Sequence, residues 1–519
     1  MNKRMVETES GKLQGIFGWD PRITVFKGVP YAKAPVGELR WKAPQPVEPW
    51  DGIRMADQYG PISCQPVPGL NPAEFWTREI HPTGTEFEMS EDCLYLNIFT
   101  PARTGEENLP VLFYIHGGGY KGGYPYEVEF DWEHMARKGM VVVAVTYRLG
   151  VMGFFAHPWL REEDPEAAEG NFGLQDQLAA IRWVHRNIRA FGGNPDKITI
   201  AGQSAGAGSV QNLLSSPHSR GLIAGAIVES GVTVDFKDAP QGLTPYTLEA
   251  AEENGKKLME LAGASSLEEA RHIPAEDLVR IEDQEMGRGF HFQPVVDGKF
   301  LLETPWEAFL HDHTDRIPVI AGYNEGETKS FKHLFNDLPE NMEDFEKYAE
   351  RYGDRAEEFK RLCNVHTDEQ VRQLFDQDDA FSDLITGTLL FGILEARQGR
   401  KAYLYQFGAE IPGDDAGAYH GCEMWFAYDS LARCWRPFKG SAYDLARQTS
   451  SYWTNFVKYG DPNGTDTFGE PLPEWHNYTA QNPVVMEFKD KPQGKNHTLD
   501  ALMEFRMTDM AGMEAVRKE

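Results

Sequence analysis

Cysteine is scarce in this chain, which argues against a fold held together by disulfides. Five cysteines occur among 519 residues, at positions 64, 93, 363, 422 and 434. Domains that depend on disulfides carry a dense and even set, so an odd number in a long chain does not indicate such a scaffold. The sequence also contains no C-x-x-C and no H-E-x-x-H motif, so it gives no support for a zinc site.

Long apolar runs and an excess of basic residues are also missing. No apolar run reaches the length of about 18 residues that a membrane-spanning helix needs. A total of 51 Lys and Arg against 80 Asp and Glu gives a formal net charge of −29. Nucleic acids and anionic membranes are bound by basic patches, so we expect neither as a partner. The N-terminal stretch MNKRMVETESGKLQGIFG lacks the apolar core of a signal peptide, and we therefore expect a cytoplasmic protein.

The order of the apolar segments indicates the fold class. Residues 109–115 and 140–147 are nearly continuous apolar runs, as in strands that are buried on both faces. Residues 174–188 carry apolar positions at helical spacing. Strands that alternate with helices predict parallel strands joined by crossover helices. We therefore predict an α/β fold with a large, mostly parallel central sheet.

Two stretches, about 233–290 and 326–400, are richer in charge and in helical pattern than the rest of the chain. We interpret them as helical insertions that cap the sheet. Between them, residues 292–298 (FQPVVDG) and 316–324 (RIPVIAGYN) have the composition of strands that return to that sheet. No internal repeat or long low-complexity linker is visible, so we predict one catalytic domain over residues 1–519.

A serine lies among small residues where a strand pattern gives way to a helical one. Residues 198–200 end an apolar run, and Ser204 follows inside the pentapeptide G-Q-S-A-G at 202–206. A sharp strand-to-helix turn exposes a serine hydroxyl, and it needs small neighbours because the helix folds back on the strand. The pentapeptide alone also fits a glycine-rich turn with an incidental serine. Ser204 is therefore a candidate nucleophile whose partners must be found elsewhere.

A second glycine-rich stretch, H-G-G-G at 116–119, directly follows a strand-like run. Glycines let the backbone approach a ligand closely and point N–H groups toward it. At a strand end upstream of the serine, these groups suit an oxyanion hole better than a flexible loop. We predict that the N–H groups of Gly118, Gly119 and Ala205 stabilise an oxyanion.

These motifs resemble those of the type-B carboxylesterases, a family of the α/β-hydrolase fold that includes para-nitrobenzyl esterases, cholinesterases and fungal lipases. Residues 191–206 (FGGNPDKITIAGQSAG) fit the serine-site signature of the family, and residues 91–101 (EDCLYLNIFTP) fit its second signature. Further matching segments follow in the family's order from about Gly11 to Phe488. The resemblance implies the α/β-hydrolase fold, with helices on both faces of the sheet.

The resemblance also implies the partners of the serine. The family's acid follows the pattern G-x-N-x-x-E, which is G-Y-N-E-G-E at 322–327 and indicates Glu327. The family usually continues with D-E-G at this point, so Glu325 stays open as an alternative. The family's histidine follows H-x-x-E-x-x-F, which fits H-G-C-E-M-W-F from His420. The resulting chain order of serine, acid and histidine is the one that this fold uses.

Fifteen histidines occur in the chain, so His420 has competitors. His185 lies in a helical pattern, while His311 and His313 lie in a polar turn. His420 follows the Gly- and Asp-rich loop P-G-D-D-A-G-A, which suits a catalytic histidine carried on a loop. The H-x-x-E spacing could also mark a metal pair, but no further ligand set accompanies it. We expect neither a metal nor a cofactor.

Three smaller features follow from the resemblance, and a fourth follows from the position of a cysteine. Ser230, in E-S-G, matches a family serine that supports the acid–base pair, and Gln203 stands where cholinesterases carry glutamate. Cys64 and Cys93 match the first loop disulfide of the family, although a reducing cytosol disfavours the bond. Cys422 lies two residues from the predicted histidine and is either a thiol beside the site or a small core residue.

The resemblance implies a cofactor-free serine carboxylesterase. Ser204 would attack the ester, His420 would act as general base, and Glu327 would orient the imidazole. We expect small to medium acyl esters, aryl esters or benzyl esters as substrates, while hydroxycinnamoyl (feruloyl-type) esters and carbamates stay open. A catalytically inactive, esterase-like binding protein and a peptidase are the alternatives from other classes. The expected partner is a small-molecule ester, and the expected state is a monomer or a homodimer.

Overall fold

An eleven-stranded mixed β-sheet runs through the middle of the protein. The computed structural model describes residues 4–66, 75–80, 88–232, 245–286, 292–327, 338–377, 382–497 and 499–508. The strands of these ranges are β1 Met5–Thr8, β2 Gly11–Gln14, β3 Ile16–Phe17, β4 Thr24–Pro30, β5 Ile53–Met55, β6 Tyr95–Thr100, β7 Leu109–Ile115, β8 Val141–Val145, β9 Gly193–Gln203, β10 Gly225–Glu229, β11 Tyr246–Thr247, β12 Val295–Val296, β13 Val319–Asn324, β14 Ala402–Phe407, β15 Val484–Phe488 and β16 Pro492–Asn496.

The order of strands across this sheet is β16-β15-β14-β13-β10-β9-β7-β8-β6-β4-β3. The seven neighbours from β15 to β8 run parallel, and the pairings at both edges are antiparallel. Strands β7 and β8 occupy the two apolar runs singled out in the sequence. This topology confirms the predicted α/β class with a mostly parallel central sheet.

Helices flank the sheet and fill the segments between its strands. The α-helices of the described ranges are α1 Phe75–Ile80, α2 Trp132–Arg137, α3 Gly150–Phe154, α4 Pro158–Glu163, α5 Phe172–Asn187, α6 Ala205–Ser215, α7 Leu248–Ala262, α8 Leu267–His272, α9 Ala275–Gln284, α10 Pro305–Leu310, α11 Met342–Ala349, α12 Ala356–Cys363, α13 Asp368–Gln377, α14 Asp383–Arg397, α15 Met424–Ala427, α16 Gly440–Tyr459 and α17 Ala501–Met507. None of the helices in these ranges is both long and apolar enough to cross a membrane.

The two charged stretches are helical where the structure describes them, and one predicted strand is wrong. Helices α7 to α9 lie in the first stretch, and α11 to α14 lie in the second. Helix α14 packs directly on β13 and β14, so it forms part of the layer on the sheet. The FQPVVDG segment does not return to the central sheet, because among the described strands β12 pairs only with β11.

The chemistry around Val295 explains this error. The side chain of Asn171 accepts from the Val295 N–H at 2.9 Å and donates to its carbonyl at 2.7 Å. Asp297 then accepts from the N–H groups of Phe300 and Leu301, which turns the chain at once. Both backbone groups of Val295 are thus paired with a side chain and cannot extend a strand ladder.

Alternate residues of the sheet strands enter two separate hydrophobic cores, one on each face. Val111, Phe113 and Ile115 belong to one core, whereas Leu112 and Tyr114 of the same strand belong to the other. This alternation follows from the two-residue period of a strand. A sheet covered on both faces leaves its strand ends as the place where polar groups can be exposed.

The carboxyl ends of the central parallel strands lie at one edge of the sheet. The register pairs Ile115 of β7 with Gly202 of β9, and Gln203 with Glu229 of β10. It also pairs Asn324 of β13 with Phe407 of β14. Because these strands are parallel, the loops that follow their carboxyl ends meet at the same edge.

Candidate active site

Ser204 occupies a strained turn between β9 and α6. Its backbone has φ 58° and ψ −126°, a region that residues with a side chain rarely adopt. A Cβ on Gly206 would lie 2.2 Å from the Ile115 carbonyl oxygen, and one on Gly202 would lie 2.4 Å from the Gly206 backbone. Only glycine therefore permits the close approach of helix and strand that makes the turn. The small residues of the pentapeptide are explained by this geometry.

The H-G-G-G loop lies directly against the serine turn. A Cβ on Gly117 would stand 2.6 Å from the Gln203 carbonyl oxygen and 3.2 Å from the Ser204 Cβ. Gly118 and Gly119 follow with φ of 105° and 64°, and both are exposed. The N–H groups of Lys121 and Gly122 donate to the Gly118 carbonyl, at 3.1 and 2.9 Å, and fix the loop. The backbone of this loop is thus held beside the hydroxyl-bearing residue and open to a ligand.

Glu327 and His420 come together from two different loops. Glu327 follows β13, and its Oε2 accepts from His420 Nδ1 at 2.5 Å. Its other oxygen accepts from the Asn324 N–H at 3.0 Å, so the carboxylate is fixed on both sides. The Gly326 N–H donates to the Ala418 carbonyl at 2.9 Å, which ties the two loops together beside the pair.

The contacts of His420 define which ring nitrogen carries the proton. The side-chain amide of Gln203 donates to His420 Nε2 at 3.0 Å, which requires a free lone pair on that nitrogen. The ring proton then resides on Nδ1 and is donated to Glu327. This tautomer is the one that a general base needs.

The electrostatics of the pair favour a basic imidazole. Burial by itself lowers the pKa of His420, but the charge and hydrogen bond of Glu327, together with the charge of Glu423, raise it above the ordinary value. His420 is 5% exposed and Glu327 is 1% exposed, so water screens their interaction little.

A second buried carboxylate, Glu423, backs this pair. It accepts from Ser230 Oγ at 3.2 Å and from the side-chain amide of Asn324. Burial, followed by the charge of Glu327, raises the pKa of Glu423 to about 7. The hydroxyl of Ser230 therefore contacts Glu423, and its predicted support of the acid–base pair stays a prediction. The sequence contained Glu423 in the H-x-x-E spacing without assigning it a role.

A buried ion pair between Glu79 and Arg436 contacts the loop that carries His420. Glu79 of α1 accepts from the Tyr419 hydroxyl at 3.0 Å and from the Arg436 guanidinium at 2.9 and 3.0 Å. The side chains of Glu79 and Arg436 are fully buried. Tyr419 directly precedes His420, so this ion pair positions the histidine loop. Neither residue carries a motif, and the sequence did not indicate them.

Two further candidates, Glu325 and Cys422, have other surroundings. Glu325 binds Lys489 at 2.6 Å on the surface, so it is not the partner of the imidazole. Cys422 is part of a hydrophobic core, and burial followed by the neighbouring carboxylates raises its pKa well above the ordinary value. It is the small core residue of the two alternatives.

The disulfide implied by the resemblance is not formed. Cys64 and Cys93 are both free thiols and line the same small cavity. Burial raises the pKa of Cys64 to about 11 and that of Cys93 well above the ordinary value. A raised pKa keeps a thiol protonated, and protonated thiols are poor nucleophiles.

Comparison with known proteins decides what kind of protein carries this geometry. The model of the Carboxylesterase family matches residues 2–506. The chain belongs to the carboxylesterase family. As a member of it, the protein is a carboxylic ester hydrolase.

Individual members of the family are similar over almost the whole carboxylesterase chain. It is 33% identical to the fumonisin B1 esterase of Sphingopyxis macrogoltabida, over 89% of this chain and 83% of that protein. It is 32% identical to the para-nitrobenzyl esterase of Bacillus subtilis, over 93% of this chain and 95% of that protein. A crystal structure of a Geobacillus stearothermophilus carboxylesterase superposes with a TM-score of 0.76 and 31% identity, covering 98% and 99% of the two chains. This likeness confirms the α/β-hydrolase fold.

Proposed function

We propose that this carboxylesterase cleaves esters through an acyl-enzyme formed on Ser204, with His420 as general base and Glu327 as its orienting acid. The supporting observation is the buried imidazole of His420. Its Nδ1 is bound to Glu327 at 2.5 Å, and its Nε2 faces the residue directly before Ser204. A general base needs a defined tautomer and a nucleophile within reach. The hydrogen bond to Glu327 supports the first requirement, and the position of Gln203 next to Ser204 in the chain supports the second.

The steps follow from these positions. The Ser204 hydroxyl attacks the ester carbonyl carbon while its proton passes to His420 Nε2. The imidazolium that results is stabilised by Glu327, and it then protonates the leaving alcohol. A water molecule, deprotonated by the same nitrogen, attacks the acyl-enzyme and releases the acid.

The N–H groups of Gly118, Gly119 and Ala205 are the donors that we assign to the oxyanion. The two glycines are exposed and directly follow Gly117, which lies against Ser204, while Ala205 is the first residue of α6. The N–H groups at a helix start have no partner inside the helix and carry the positive end of its dipole. Loss of one such donor in an esterase-type site typically costs about 3–4 kcal/mol of transition-state stabilisation.

The substrate class that we propose is esters of small to medium acyl groups with alkyl, aryl or benzyl alcohols. Two similar proteins are a fumonisin B1 esterase and a para-nitrobenzyl esterase, which supports ester substrates, a benzyl ester among them. The cytoplasmic location, the single domain and the monomeric or homodimeric state stay predictions.

Covalent trapping with an organophosphate tests the assignment of the nucleophile. Diethyl p-nitrophenyl phosphate should release one equivalent of p-nitrophenol and leave a diethylphosphoryl group on the peptide that contains Ser204. Ser204→Ala should remain unlabelled, whereas the matched variant Ser209→Ala, in the same helix, should label like the wild type. Labelling of a different residue in the wild type would overturn the proposal.

A further inference from the structure

Three side chains with metal-binding atoms converge on the surface, away from the site described above. His311 Nδ1 donates to Glu303 Oε2 at 2.8 Å, and His313 Nδ1 donates to Glu303 Oε1 at 2.6 Å. The side chains of His311 and His313 are 55% and 57% exposed, so an ion can reach them from solvent. The proposed esterase mechanism uses none of these three residues.

Short backbone structures hold the three residues in place. Glu303 lies two residues before α10, whose N-terminus is closed by a capping box between Thr304 and Glu307. At the other end, the His313 N–H donates to the Ala308 carbonyl at 2.8 Å, across a left-handed residue at position 312. These contacts fix both ends of the helix, and they hold the Glu303 carboxylate next to the two imidazoles.

A buried arginine anchors the turn from below. Asp312, between the two histidines, binds Arg400 and Arg316. The Arg400 side chain is almost fully buried and also contacts Glu395. Arg316 and Arg400 are therefore already paired with a carboxylate, whereas the Arg220 guanidinium donates to the His313 carbonyl at 2.8 Å.

We propose that Glu303, His311 and His313 form a binding site for a divalent transition-metal ion of the zinc type. One imidazole nitrogen from each histidine and one carboxylate oxygen lie within 4.8 Å of one another. Zinc binds such atoms at about 2.0–2.2 Å in a tetrahedron, which places ligands about 3.3 Å apart. The three ligand atoms would thus adjust from separations of 2.6 to at most 4.8 Å to this spacing, and water would fill the fourth position. Calcium and magnesium prefer sites made of oxygen atoms alone, so they fit less well.

The place of the cluster in the fold predicts what the ion does. Residues 311–316 lead into the amino end of β13, whereas Glu327 follows its carboxyl end. A strand of six residues spans about 20 Å, so a bound ion does not touch the ester. The ion would instead fasten α10 to the turn that begins β13. We therefore expect zinc to raise the melting temperature and to leave esterase activity unchanged.

Metal titration of the full-length, chelator-treated protein tests the site. Zinc should bind in calorimetry, and cobalt should give the visible absorption of a tetrahedral centre. Saturating zinc should raise the melting temperature by about 2 °C for a chain of this length at a hundredfold excess over Kd. The double variant His311→Ala/His313→Ala should lose one equivalent, the cobalt band and the thermal shift.

A matched control separates this cluster from ordinary surface histidines. His476 pairs with Glu474 at 3.2 Å and is similarly exposed. His476→Ala should keep the full stoichiometry and the thermal shift. Equal binding by the wild type and the double variant would overturn the proposal, and so would a wild type that binds no zinc at millimolar concentration. Both variants remove exposed side chains, so folding, checked by circular dichroism, should be unaffected.

Discussion

Gln203→Glu would place a carboxylate against the nitrogen that, in the proposed mechanism, takes up the serine proton. The amide of Gln203 now lies 3.0 Å from His420 Nε2, and both side chains are buried. A neutral amide contributes no net charge to the imidazole, whereas a carboxylate stabilises the imidazolium. The substitution therefore changes the charge at this position with little change in volume.

The size of the effect can be bounded from the distance. At 3.0 Å and an effective dielectric constant of about 20, two unit charges attract by about 5.5 kcal/mol, or about four pKa units. Opposite charges at such distances usually shift a pKa by about one to three units. Because the carboxylates of Glu327 and Glu423 already lie near the ring, we expect a rise in the lower part of this range, about one to two units, in the pKa of His420.

The sign of the change in rate follows from the role of the imidazole. His420 must be neutral to accept a proton, so activity is present above its pKa and is lost as the pH falls through it. A higher pKa moves the acid limb of the kcat/KM profile to higher pH. Well below both midpoints, the variant should be about 10- to 100-fold slower than the wild type.

The assay is the pH profile of kcat/KM with p-nitrophenyl butyrate. Gln177→Glu is the matched control, because Gln177 is also buried but donates to Ser209 Oγ at 3.0 Å and does not contact His420. The control should keep the wild-type midpoint, and thermal melts verify that both variants fold. A folded Gln203→Glu enzyme with an unchanged or lower midpoint would refute the reasoning.

Three further substitutions test other contacts. Glu327→Gln should lower kcat by about 10⁴-fold, while Glu325→Gln, whose carboxylate binds a surface lysine, should stay within about twofold of wild type. Gly206→Ala places a Cβ 2.2 Å from a backbone carbonyl oxygen and should cost at least about 1–3 kcal/mol in the free energy of unfolding, whereas Gly440→Ala has open space and should not. Glu79→Gln removes a negative charge that is paired with the buried Arg436 guanidinium. It should lower the free energy of unfolding, measured by urea denaturation, by about 3 kcal/mol.

The features that the sequence predicted are those set by local pattern or by a motif with a steric cause. The side chains of β7 alternate between two cores, so the whole strand is apolar and can be predicted from its own sequence. The glycine at 202 is required by the backbone of Gly206 in the same turn, and the glycine at 206 by the Ile115 carbonyl of the neighbouring strand. The motif around His420 indicated the histidine because its spacing comes from one short segment. The catalytic roles of these residues stay predictions until they are tested.

The features that the sequence missed depend on contacts between distant segments. Glu79 and Arg436 are 357 residues apart and form a fully buried ion pair that no periodicity reveals. Residues 295–296 were misread because Asn171, far away in sequence, takes both backbone groups of Val295. The thiols of Cys64 and Cys93 lie at one cavity without a bond. Spacing could suggest such a pair but could not decide its oxidation state.

Hydrolysis of p-nitrophenyl butyrate by the wild type and by Ser204→Ala tests the central claim most directly. The side chain of Ser204 is the proposed nucleophile, and its removal leaves the buried pair of His420 and Glu327 in place. The account predicts turnover by the wild type and a loss of about 10⁴- to 10⁶-fold in kcat for the variant. A folded Ser204→Ala protein that keeps the wild-type rate would contradict it.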